Sequence, residues 1–143
     1  MKKILVYTFN NFSYKKDLLF KDVRILKELN KDIKSFCQEI IINQPSLVIG
    51  IAKSANKYST IEKYTVNKFN KDKKVLINTP YRYKLDIPPN FEKHFKIRTI
   101  ATTSFCNLTM FKIKHFIEEN QLNIPFVFIH ITEKDIKYLK NVL

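Results

Sequence analysis

Four short apolar runs, residues 3–9, 46–52, 96–101 and 125–131, are rich in Ile, Val, Leu and Phe, and helical patterns occupy much of the chain between them. Runs of this length and composition read as buried strands. Strands that alternate with helices pair largely in parallel, because each helix carries the chain back across the sheet. The expected class is therefore α/β, a three-layer α/β/α sandwich around a mostly parallel sheet. At 143 residues the chain is expected to form a single domain, 1–143.

The helical segments follow from apolar spacing. Leu19, Val23, Leu26 and Leu29 predict an amphipathic helix over 17–30. Asp32, as an N-cap, opens a second helix through Ile33, Phe36, Cys37, Ile40 and Ile41, which stops before Pro45. Cys37 lies on its apolar face and is assigned to the core. Met110, Ile113 and Ile117 share a face with Cys106 on a third helix, and Thr132-Glu133 opens a last one with Ile136, Leu139 and Leu143 as its stripe. Residues 60–67 form a compact segment, and 68–90 read as loop with one strand at 75–78. Glu62, taken alone, reads as a surface carboxylate.

The chemistry concentrates at 97–131. Cys106 follows a polar turn at the mouth of a helix, where the positive end of the macrodipole favours thiolate. His130 ends the last apolar run, and the carboxyl ends of strands are where α/β folds place functional side chains. This is a candidate Cys–His pair. The two cysteines do not make a disulfide framework, and His94, His115 and His130 show no metal-ligand spacing, so no metal is expected.

The net charge of +13 comes mostly from scattered lysines. Tyr81-Arg82-Tyr83-Lys84 and Lys93-His94-Phe95-Lys96 interleave bases with aromatics, as strand-binding proteins do. Gly50 is the only glycine, so an RRM signature cannot be written, and no zinc-finger or basic-zipper pattern appears. A solvated lysine-rich surface is the favoured reading over nucleic acid. No apolar run reaches a membrane span and the opening is too short for a signal peptide, so a cytoplasmic protein without a membrane partner is expected.

With those residues in place, the chain resembles the pyroglutamyl peptidase I (pyrrolidone carboxyl peptidase) family of cysteine peptidases. Tyr7-Thr8-Phe9-Asn10-Asn11-Phe12 is similar to the family's TGFEPFG and keeps its two phenylalanines three apart. Leu47-Val48-Ile49-Gly50, followed by Ser59-Thr60-Ile61-Glu62-Lys63-Tyr64-Thr65-Val66-Asn67, resembles VG…ITVERVAIN. Ala101-Thr102-Thr103-Ser104-Phe105-Cys106-Asn107, through Met110-Phe111, and then Phe128-Ile129-His130, resembles AGTFVCN…MY and GFIHVP. The resemblance covers roughly half the chain; family members run longer and carry glycines that are absent here. The arginine of the family's AGGR loop has no counterpart, with Lys53 or Lys57 as substitutes.

The resemblance implies a cysteine peptidase that removes N-terminal pyroglutamate without a cofactor. Cys106 would be the nucleophile, His130 the general base and Glu62 the group that orients it. Phe9 and Phe12 would hold the lactam by its faces, and Asn107 would contribute to substrate binding. A homo-oligomer is compatible with the resemblance. Two alternatives stay open: a weak or repurposed homologue of the same fold, and a basic nucleic-acid-binding module.

Overall fold

Alternation along the apolar strands builds two cores, one on each face of a single sheet. The computed structural model describes residues 3–18, 20–70 and 73–142. Strands β1 (Ile4–Phe9), β2 (Val23–Leu26), β3 (Leu47–Lys53), β4 (Thr60–Glu62), β7 (Lys96–Arg98) and β8 (Phe126–Ile131) form it, in the order β2-β1-β3-β8-β4-β7. Strands β2, β1, β3 and β8 are mutually parallel. Strand β4 runs antiparallel to β8, and β7 runs parallel to β4. The sheet is thus mostly parallel with a reversed pair at one edge. Strands β5 (Tyr64–Val66) and β6 (Arg82–Lys84) make a separate antiparallel ribbon.

One face carries Leu5, Tyr7, Val48, Phe126 and Phe128 under the helices α1 (Leu29–Asn43) and α2 (Phe105–Glu119). The other carries Val6, Ile49, Ile51, Val127 and Ile129. It is covered by residues from the 3-10 turns Phe91–Lys93 and Glu133–Tyr138 and from the one-turn α3 (Leu139–Val142). The second outer layer is therefore made of short turns instead of long helices.

Helix α1 forms where the spacing of Ile33, Phe36, Cys37 and Ile40 places them all on the buried side. Asp32 is not its N-cap; it lies inside the first turn. Its carboxylate reaches back to the N–H groups of Lys27 and Glu28 at 2.7 and 2.9 Å, and these bonds hold its pKa below the ordinary value. The helix ends at Gln44 in the left-handed conformation, with its N–H on the Ile40 carbonyl, just before Pro45.

The helix expected over 17–30 does not form. Leu18 and Val23 pack on the face opposite to Leu26 and Leu29. A helix would put Val23 and Leu26 on one side; a strand three residues apart puts them on two. Pairing with β1, from Val6 opposite Val23 to Phe9 opposite Leu26, settles the choice. Leu19 and Leu143 lie outside the described residues. Residues 75–78 are turn, and the ribbon strands flank them instead. The run at 96–101 shrinks to β7, a sheet-edge strand with Ile97 exposed, so it is not a buried strand. The last helix begins as a 3-10 turn, and Cys37 is in the core as expected.

Gly50 sits in β3 where the ring of Tyr7, from the neighbouring β1, crosses it. A Cβ there would meet the Tyr7 ring at 2.6 Å, its hydroxyl at 2.7 Å and the Phe128 ring at 2.5 Å. Both rings are fully buried and have nowhere to move. Gly50→Ala is expected to lower unfolding free energy by about 1–3 kcal/mol, the usual range for overpacking, measured as a shift of the urea midpoint.

Candidate active site

Three elements bring the sequence-selected residues together at the carboxyl end of β8. Ser104 is the N-cap of α2, so Cys106 falls in its first turn. The first intrahelical bond runs from the Leu108 N–H to the Ser104 carbonyl at 3.1 Å, so the N–H groups of Cys106 and Asn107 precede it. His130 is on β8, on the same sheet face as Phe128. Thr60 lies opposite His130 across the β4–β8 pair, so Glu62, two residues on, shares that face.

The His130 Nδ1 stands 2.9 Å from Glu62 Oε1, and the carboxylate is only 1 % exposed. Among the described residues neither Glu62 oxygen has a well-aligned hydrogen-bond donor, so the pair meets chiefly as charges. The Cys106 thiol lies near enough to the His130 ring to bear on its charge. Burial opposes a charge on His130, but the contacts with Cys106 and then Glu62 outweigh it and hold its pKa up at about 9. His130 therefore carries its proton at neutral pH, beside a thiol in the first turn of a helix.

The floor of the site is a buried chain of hydroxyls. Tyr7 Oη lies 2.9 Å from Thr109 Oγ1, which in turn donates to the Cys106 carbonyl at 2.8 Å. Burial drives the Tyr7 pKa well up, against the Thr109 hydrogen bond, so the phenol stays neutral. This chain ties the first turn of α2 to β1.

Arg98 was not singled out by the sequence. It sits on β7 directly opposite Glu62, and its Nη1 lies 4.0 Å from Glu62 Oε1. Only the pairing of two short strands places it there, a signal that spacing along the chain does not carry. Lys53 and Lys57, the suggested substitutes for a family arginine, do not take this place. The ammonium of Lys53 lies over the Tyr14 ring, and Lys57 is exposed.

Phe9, Phe12 and Asn107, expected to contact substrate, are placed as follows. Phe9 packs with Tyr7 on the helix-covered face, whereas Phe12 is buried on the opposite face, edge-on to Tyr14. The turn closed by the Phe12 N–H on the Phe9 carbonyl leads the two rings into different core clusters. The Asn107 side chain is fully buried and already committed. Its Oδ1 accepts from Thr65 Oγ1 at 2.6 Å and from the Val66 N–H at 3.0 Å, while its Nδ2 donates to the carbonyls of Val66 and Lys68, both at 2.8 Å. It fastens β5 to α2, and its backbone N–H precedes the first intrahelical bond of α2. Two clefts, of about 550 and 600 Å³, share Asp86, Lys114 and Glu118 and contain none of Glu62, Cys106 or His130.

No family model matches the sequence, and no curated protein matches it. Solved structures do. The pyrrolidone carboxyl peptidase from Thermococcus litoralis superposes with a TM-score of 0.79 at 21% identity, covering 92% of this chain and 77% of that one. Pyrrolidone carboxyl peptidase from Thermus thermophilus gives 0.70 at 17% identity over 98% and 90%. Pyroglutamyl peptidase I from Bacillus amyloliquefaciens gives 0.69 at 16% over 92% and 82%. The chain has the fold of these peptidases.

Because the His130 pKa is raised from its ordinary value of about 6.5, the folded chain keeps a proton that the unfolded chain releases. That contribution is complete below about 6.5 and is lost as pH rises through about 9. Thermal stability of the wild type is expected to fall across this window, and His130→Gln should flatten that part of the pH dependence. Asn107→Ala, which removes all four hydrogen bonds made by this buried amide, is expected to cost on the order of 3 kcal/mol in urea unfolding.

Proposed function

We propose that the protein is a cysteine peptidase that removes N-terminal pyroglutamate from peptides. The observation that carries this reading is the meeting of Cys106, His130 and a buried Glu62 at one strand end, on a fold shared with solved pyroglutamyl peptidases. Cys106, as thiolate, attacks the carbonyl that joins the lactam ring to the next residue. The negative charge that develops on that oxygen is taken by the N–H groups of Cys106 and Asn107; an oxyanion donor of this kind is worth roughly 3 kcal/mol of barrier. His130 gives its proton to the leaving amine, breaking the C–N bond and leaving a thioester on Cys106. It then takes a proton from the water that clears the thioester. Glu62 holds the imidazole in orientation and balances its charge. Phe9 supplies an apolar wall on the Cys106 side. No cofactor enters this scheme, and a reducing cytoplasm, which keeps Cys37 and Cys106 as thiols, suits it.

A second reading is favoured by one observation, the burial of Phe12 in the cluster on the face away from Cys106. A repurposed homologue of this fold, with only Phe9 beside the thiol, would accept a different N-terminal acyl group. Both readings keep the same nucleophile.

Release of a chromophore from a pyroglutamyl amide by the reduced protein tests the reading. Turnover is expected from wild type, none above background from Cys106→Ala, and a loss of about a hundredfold to ten-thousandfold in kcat from Glu62→Gln. Turnover of other N-acyl amides but not the pyroglutamyl one would select the second reading, and an inert wild type would sink both.

A further inference from the structure

Glu62 is 1 % exposed, and a carboxylate so deep in the protein needs compensating charge. Two cations approach it, and both approach the same oxygen. His130 Nδ1 lies 2.9 Å from Oε1 and Arg98 Nη1 lies 4.0 Å from it. Oε2 has no partner among the described residues. Arg98 is anchored on its other side, where Nε donates to the Ile100 carbonyl at 3.1 Å, and its side chain is 37% exposed. The guanidinium is thus partly exposed where the carboxylate is buried, at a place set by the register that pairs Glu62 with Arg98.

We propose that Arg98 is a positioning residue of this site, a second counter-charge that shares Glu62 with His130 and so limits how tightly the carboxylate holds the imidazolium. The inference rests on the assignment of Glu62, His130 and Cys106 to the reaction. If His130 were the only cation beside Glu62, it would carry the whole of the compensation and would give up its proton less readily. A proton held too firmly cannot be passed to a leaving amine at neutral pH. Arg98 adds positive charge on the far side of Glu62 and weakens that hold. Cys106 on α2 lies against His130, with the buried Tyr7 of β1 and Cys37 of α1 behind it, while Lys63 follows Glu62 in the chain and Lys53 follows Ala52, the β3 partner of His130. Burial pushes the Cys37 thiol up to about 12, and the Tyr7 phenol is raised well beyond its ordinary range, so neither changes charge near neutral pH. Cys106 is common to every variant below.

The test compares wild type, Arg98→Gln and Arg98→Lys. His130 is titrated by NMR on its ring protons, and kcat/KM for a pyroglutamyl amide is followed against pH. The NMR midpoint in Arg98→Gln is expected to rise by on the order of one pH unit, with the alkaline limb of kcat/KM moving up in step. Arg98→Lys, which keeps the charge, should stay near wild type in both. An unmoved midpoint in Arg98→Gln overturns the proposal, whatever happens to the rate. So does an equal shift in both variants, which would mean that the arginine acts by shape. The NMR reading does not depend on turnover, so an inert wild type would defeat the peptidase reading without deciding this one. Arg98 lies at a sheet edge and is partly exposed, and melting curves of the two variants identify any loss of folding.

Discussion

A carboxylate buried to 1 % exposure is the constraint around which this end of the sheet is arranged. Left unpaired, such a charge costs several kcal/mol. The chain meets the requirement with topology. Strand β4 is only three residues long and runs against β8 on one side and with β7 on the other. That position gives Glu62 a histidine from the neighbouring β8 and an arginine from the neighbouring β7. A sheet lacking the reversed pair would have no strand to carry a carboxylate to His130. The departure from an all-parallel order is thus what the site requires.

Cys106 is held by a different device. The single glycine of the chain lies under the Tyr7 ring, whose hydroxyl meets Thr109 one helical turn beyond Cys106. Thr109 bonds the Cys106 carbonyl, and Asn107 fastens the β5 segment on the other side. The first turn of α2 is therefore fixed from below by hydroxyls and from beside by an amide. In the proposed attack on an acyl group, a thiol anchored in this way would lose little freedom, as preorganised sites do to lower a barrier. Gly50 thus keeps its place by close packing, because its φ is not in the left-handed region.

Much of this was legible in the sequence, and unevenly so. The β1, β3 and β8 strands and α2 are dense apolar patterns whose period leaves one choice, and they place Cys106 and His130 at one end of the sheet. Glu62 was different. Its own neighbourhood reads as surface, and only the resemblance of the block around it to a peptidase motif pointed inward. Arg98 and the separation of Phe9 from Phe12 were not legible, because strand pairing and a turn decide them, and neither leaves a periodic trace. The segment 17–30 misled because Val23, Leu26 and Leu29 have helical spacing while the sheet puts them on two faces. Tertiary pairing overrode the local pattern there. Asn107 lies in the right motif, but its side chain serves the architecture.

The account stands on Cys106 forming a covalent intermediate with a pyroglutamyl group. Mixing the protein with an activated pyroglutamyl ester, quenching in acid and mapping the mass gain by peptide mass spectrometry reads this directly. One pyroglutamyl group on the peptide that contains Cys106, with Cys37 unmodified and no adduct in His130→Ala, is the predicted result. No adduct, or labelling that ignores His130 and reaches Cys37 equally, would contradict it.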